Sequence, residues 1–104
     1  MNLYANQIGE YGFAQKAEDD LLQMSQLSNN GSLNINPDTL SFNTVLKAWK
    51  NSAGGIKNAK RAESILRLMV KLYSEGHENV RPDSISWYTV IYAYGKHFKR
   101  HNNY

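Results

Sequence analysis

NPDTLSFNTVLKAW, residues 36–49, and RPDSISWYTVIYAY, residues 81–94, are one pattern written twice. At an offset of 45, Pro37/Pro82, Asp38/Asp83, Ser41/Ser86, Thr44/Thr89, Val45/Val90 and Ala48/Ala93 are identical, while Phe42/Trp87, Leu46/Ile91 and Trp49/Tyr94 keep their kind. The same shift carries AQKAEDDLLQM (14–24) onto AKRAESILRLM (59–69). There Ala14/Ala59, Ala17/Ala62, Glu18/Glu63, Leu21/Leu66 and Met24/Met69 match, Lys16 meets Arg61, and Gly9 meets Gly54. One gapless offset that aligns two separate blocks identifies an array of units, the signature of stacked repeats.

Each unit reads as two helices. Phe42, Val45, Leu46 and Trp49 fall at i, i+3, i+4 and i+7, and Trp87, Val90, Ile91 and Tyr94 repeat that spacing, so each stretch predicts an amphipathic leading helix, A, with an apolar stripe turned to the core. Pro followed by Asp marks both starts: Pro cannot continue a helix interior, and the carboxylate can accept from free N–H groups of the first turn. A second helix, B, is predicted over about Lys57 to Tyr73, with Ala62, Leu66, Met69 and Tyr73 on one stripe; its counterpart spans about Phe13 to Leu27. Alanines at 14, 17, 59 and 62 let helices approach closely. Gly54-Gly55, Gly76 and Asn29-Asn30-Gly31-Ser32 punctuate the loops. The expected fold class is therefore all-α: an α-solenoid of helix-turn-helix hairpins, about two hairpins plus a lone helix. Residues 1–38 carry the end of an A helix plus a B helix, residues 39–83 a complete repeat, and residues 84–104 the A helix of a third. An array cut within its units at both ends leaves apolar faces uncovered, and a fragment of a longer array, or a chain whose ends are covered by further repeats or a protein partner, is expected.

Composition agrees with this class. The chain has 104 residues, 41% hydrophobic and 20% charged, the balance of a globular domain rather than a disordered tail. Apolar runs are no longer than Val90 to Tyr94, too short for a membrane span or a signal peptide, so no membrane association is expected. The absence of cysteine excludes disulfides, thiolate zinc sites and thiol nucleophiles. The net charge of +3 is unevenly spread, at −4 over residues 1–46 and +7 over residues 47–104. A basic segment of that size can be an electrostatic footprint for nucleic acid, and a solvated helix face has the same composition.

Pro-Asp, then Ser-Phe-Asn-Thr, then a helix of the form AKRAESILRLM and a Gly-containing loop closing on the next Pro-Asp, resembles the pentatricopeptide repeat, a family of helical hairpins that bind RNA. The resemblance covers nearly the whole chain. The unit here is longer than the family's, the extra residues falling in loops between Trp49 and Lys60 and between Met69 and Pro82. The Trp-x2-Leu-Gly-x2-Tyr pattern of the tetratricopeptide array is absent.

By helical spacing, Asn43, Lys47 and Lys50 share one side of their helix with Leu40 beside them. Cations to meet phosphate, an amide to meet a base edge and an aliphatic group to pack on a base plane suit single-stranded RNA. The resemblance implies more: a residue in the first turn of helix A and the residue closing the unit together read one base. That assigns base reading to Asn43 with Asp83, an Asn-Asp combination the family associates with uracil, and places Leu40 and Ile85 as the residues that sandwich the base. Lys47 and Lys50 are the phosphate contacts. Tyr88 occupies the reading position of the last unit, where the family prefers a small polar residue, and Tyr92 replaces Lys47 there; Asp38 closes a unit whose reading partner lies before Met1. Asp38 and Asp83 read equally as helix caps, and Phe42, Trp49, Trp87 and Tyr94 as core.

No enzyme is expected. His97 and His101 are four residues apart, but no Glu completes a His-Glu-x-x-His zinc motif, and HFKRH reads as a basic helix end. Gly54-Gly55-Ile56-Lys57 lacks the spacing and hydroxyl of a phosphate loop. No metal and no cofactor is called for. The expectation is a single-stranded RNA-binding helical-repeat protein that acts in RNA processing, stability or translation in mitochondria or plastids, if the family's habit holds. The competing expectation is a protein-interaction scaffold built from the same hairpins.

Overall fold

The computed structural model describes the backbone of residues 2–29 and 37–102 and the side chains of residues 12–25 and 37–96. Its elements are α1 (Asn2–Asn29), α2 (Thr39–Asn51), α3 (Ile56–Ser74), a single 3-10 turn (Glu78–Val80) and α4 (Ser84–Asn102). Among the described residues there is no strand, and the four helices pack together. None of these helices is long and apolar enough to cross a membrane. The expected turn at Asn30-Gly31-Ser32 and the side chains of His97 and His101 lie outside the described residues.

The two Pro-Asp corners start helices by the same chemistry. Asp38 Oδ1 accepts from Ser41 N at 2.9 Å while Ser41 Oγ receives the Asp38 N–H at 3.4 Å, a reciprocal capping box. Asp83 and Ser86 repeat it at 3.0 and 3.1 Å. α3 is bounded by glycines in backbone regions that side chains avoid, Gly55 at φ 64 before it and Gly76 at φ 106 after it. At Gly76 the His77 N–H reaches Leu72 O at 3.0 Å and the Gly76 N–H reaches Tyr73 O at 3.1 Å, so the last carbonyls of α3 are satisfied by a Schellman turn.

α2 is the hub. Phe42, Val45, Leu46 and Trp49 are all buried, packed with Ala14 and Leu21 from α1, Ala62, Ile65, Leu66 and Met69 from α3, and Val90 from α4. α2 and α4 run parallel, side by side. At their starts Thr39 Oγ1 donates to Arg81 O at 2.6 Å and Asn79 Nδ2 to Pro37 O at 3.0 Å; at their far ends Lys96 Nζ donates to Lys50 O at 2.9 Å. α1 and α3 lie farther apart and are bridged by Arg61, whose Nη2 meets Glu18 Oε2 at 2.8 Å. Glu18 Oε1 accepts from Trp49 Nε1 at 2.9 Å, and the Arg61 guanidinium lies 5.2 Å from the Trp49 ring centroid. A carboxylate, an indole and a guanidinium thus tie three helices at one point, each buried polar atom having its partner.

Four expectations are corrected. Residues 2–29 form one uninterrupted helix, where the end of an A helix and a separate B helix starting near Phe13 were expected. Trp87 and Ile91 are not core: they are 49% and 64% exposed, whereas their counterparts Phe42 and Leu46 are at 0%. The reason is geometric. The face of α2 that holds Phe42 and Leu46 is covered by α3, and no described helix stands in that place for α4. Tyr73, expected on the buried stripe of α3, is exposed at the helix end, and Tyr94 is half-buried, its hydroxyl donating to Glu63 Oε1.

Candidate nucleic-acid interface

The side-by-side start of α2 and α4 brings together residues 40 or more apart in the chain. Asn43 Nδ2 donates to Asp83 Oδ1 at 3.1 Å, so the expected reading pair is in direct contact. A third member joins it. The Ser86 hydroxyl lies 2.6 Å from Asn43 Oδ1 and 3.0 Å from Asp83 Oδ1, and its single proton goes to the shorter contact. That donation fixes the Asn43 amide with its oxygen toward Ser86 and its NH2 toward Asp83, the orientation that satisfies every partner.

Burial divides the roles. Asn43 is only 9% exposed, set in the seam between the helices instead of standing free on the surface as expected, because Ser86 and Asp83 from α4 close over it. Asp83 is exposed, and its Oδ1 accepts from the Ser86 N–H and from Asn43 Nδ2. The backbone N–H of Ser86, with help from the Asn43 amide, holds the Asp83 carboxyl below the ordinary carboxylate value, against the opposing effect of burial. Asp38 is lowered too, chiefly by the Ser41 backbone N–H and then the Ser41 hydroxyl. Both groups are therefore charged at neutral pH, and both are helix caps; Asp38 has no Asn43-like partner among the described residues.

Around this cluster the surface is as the sequence spacing suggests. Leu40 on α2 and Ile85 on α4 are well exposed large aliphatics. One and two turns further, α4 presents Tyr88 and Tyr92, both exposed, and α2 presents Lys47, also exposed. Lys50 is half-buried because its ammonium sits 5.1 Å from the Tyr92 ring centroid, a cation-π contact across the two helices. The surface thus holds an exposed carboxylate, two aliphatics, two phenols and two ammonium groups. Among the described residues no group of three or more His, Asp or Glu side chains is placed to hold a metal ion.

Sequence reasoning missed Ser86, although the Ser41/Ser86 identity was visible, because its bond to Asn43 depends on the pairing of two helices. It also missed Glu18-Trp49-Arg61, whose only sequence signal is a Glu and a basic residue recurring at the same unit positions. Compared with protein-family models, with characterised proteins and with solved structures, the chain matches none.

Proposed function

We propose that the chain is a short helical-repeat module of the pentatricopeptide kind that binds single-stranded RNA along the α2/α4 face. The observation that carries this reading is the Asn43-Asp83-Ser86 cluster at the mouth of two parallel helices, flanked by Leu40 and Ile85. An exposed, ionised carboxylate, held in place by the buried Asn43 amide, accepts from the N3–H of uracil; cytosine, whose N3 is an acceptor, is refused by the same carboxylate. Leu40 and Ile85 are spaced one unit apart, as a pair that sandwiches a base plane must be. Lys47 and Lys50 supply the sequence-independent attraction to phosphate. Two features favour a concave array: α2 and α4 pack directly while α1 and α3 stand apart, so the layer that carries the cluster is the tighter one. A place in organellar RNA processing, stability or translation rests on the family resemblance alone.

The test is binding to oligouridine, oligocytidine and oligoadenosine over a range of salt. The reading requires affinity that falls as salt rises and a preference for uridine. Asp83→Asn should reduce that preference, whereas Lys47→Ala should weaken all three sequences alike. Absence of binding at low salt would leave the interaction-scaffold reading in its place.

A further inference from the structure

Beside α4, Leu66, Val70 and Trp87 line an open groove of about 430 Å³, with Glu63, Arg67 and Lys71 at its edge. Shifted back by one unit, its members Glu63, Leu66 and Trp87 become Glu18, Leu21 and Phe42, and those residues line the space that α3 occupies, Leu21 and Phe42 both sharing its buried cluster. The groove therefore has the shape of a seat for a B-type helix, and the molecule contains a second B-type helix in α1, which is aligned with α3 over residues 14–24. We infer that α1 of a second copy of this chain docks there, head to tail, covering the Trp87 and Ile91 face of α4.

Three features of the molecule converge on that occupant. The residues of α1 that correspond to buried Asn58, Ala62 and Met69 of α3 are Phe13, Ala17 and Met24, which are exposed or half-buried in the single chain. Charge is complementary: α1 carries four acids and one base, and α4 carries Lys96, Lys99 and Arg100 with no acid. The polar tie also repeats. Where Arg61 reaches back to Glu18 beside Trp49, the same shift brings Lys16 of the second copy to Glu63, which already accepts from Tyr94. Two of these positions change character, Phe13 for Asn58 and Asp20 for Ile65. Asp20 takes the place of buried Ile65 and is ion-paired to Lys16 at 2.9 Å, so the docked pair is weaker than the α2/α3 contact. The arrangement completes a second polar corner, because Asp38 of the arriving copy stands to Tyr88 as Asp83 stands to Asn43 in one chain. A head-to-tail contact of this kind is not satisfied at a two-fold dimer, since each copy added leaves one face of either type open. The inference rests on the 45-residue repeat and not on RNA binding: assembly without RNA affinity leaves it standing and defeats only the RNA reading.

Sedimentation equilibrium of the 104-residue chain tests it. The expected result is an average mass that climbs from the 11.9 kDa monomer through successive multiples as concentration rises, and that falls back with added salt. Asp20→Ile should strengthen association by about tenfold or more. Ile91→Glu and Phe13→Glu, both at positions exposed in the single chain, should each remain helical and monomeric alone, yet form a heterodimer when mixed, since each retains the face the other lacks. A wild-type chain and an Asp20→Ile variant that both stay monomeric would overturn the inference. A mass that stops at the dimer, with the two Glu variants failing to complement each other, would overturn it equally, by showing a two-fold contact.

Discussion

Ser86 has no exposed surface and serves three groups at once: it caps α4 through Asp83, receives the Asp83 N–H, and donates to Asn43. Ser86→Ala removes the donor and leaves a nearly buried amide oxygen without a partner, a loss of about 1–3 kcal/mol in unfolding free energy, measurable from the urea midpoint. The two caps also set a pH dependence. Because Asp38 and Asp83 titrate below their ordinary value of 3.8 in the folded chain, their contribution is fully present above that value. It is lost as pH falls through the lower folded values, the unfolded chain taking up protons first. Urea midpoints taken between neutral pH and pH of about 2 should therefore fall at the acid end, and the Asp83→Asn variant should show a shallower fall. Only the family resemblance paired Asn43 with Asp83, and the sequence could not show that the amide is held inside the seam, since that requires knowing how closely α2 and α4 approach.

Helix ends were the most legible elements. Pro-Asp marked the starts of α2 and α4, and Gly54-Gly55 and Gly76 marked the limits of α3, because capping and positive φ are local requirements that few residue types meet. Gly55 at φ 64 and ψ −141 is in a region a Cβ disfavours, so Gly55→Ala should cost about 1–3 kcal/mol; thermal unfolding followed by helical circular dichroism checks it. Gly54 leaves room for a neighbour: a Cβ there would lie 2.5 Å from the buried Asn58 side-chain amide, which would have to shift. The uninterrupted course of α1 was not legible, since its first ten residues have no strong apolar period and no helix breaker other than Gly9. The exposure of Trp87 and Ile91 was not legible either. Periodicity tells which side chains share a stripe, and only the neighbouring helices decide whether that stripe is covered.

For the whole molecule, the all-α class expected from the sequence holds for the described residues, and α2 and α4 lie side by side through the ties Thr39-Arg81, Asn43-Ser86 and Lys50-Lys96. If the α2/α4 face binds RNA, the logarithm of affinity should fall linearly with the logarithm of salt, with a slope set by a few phosphate contacts and reduced by about one when Lys47 is replaced by Ala. Fluorescence polarisation of a labelled oligouridine gives that slope. The contrast between the two tryptophans has a practical consequence. Trp49 is sealed between Glu18 and Arg61, while half of Trp87 meets solvent, so the chain carries two intrinsic optical probes with opposite surroundings. An aqueous quencher such as acrylamide should extinguish the red-shifted emission of Trp87 first, and the protected remainder should report on Trp49. Removing either indole by a Phe replacement would then give a spectrum that watches the interior or the outer surface separately, without any added label.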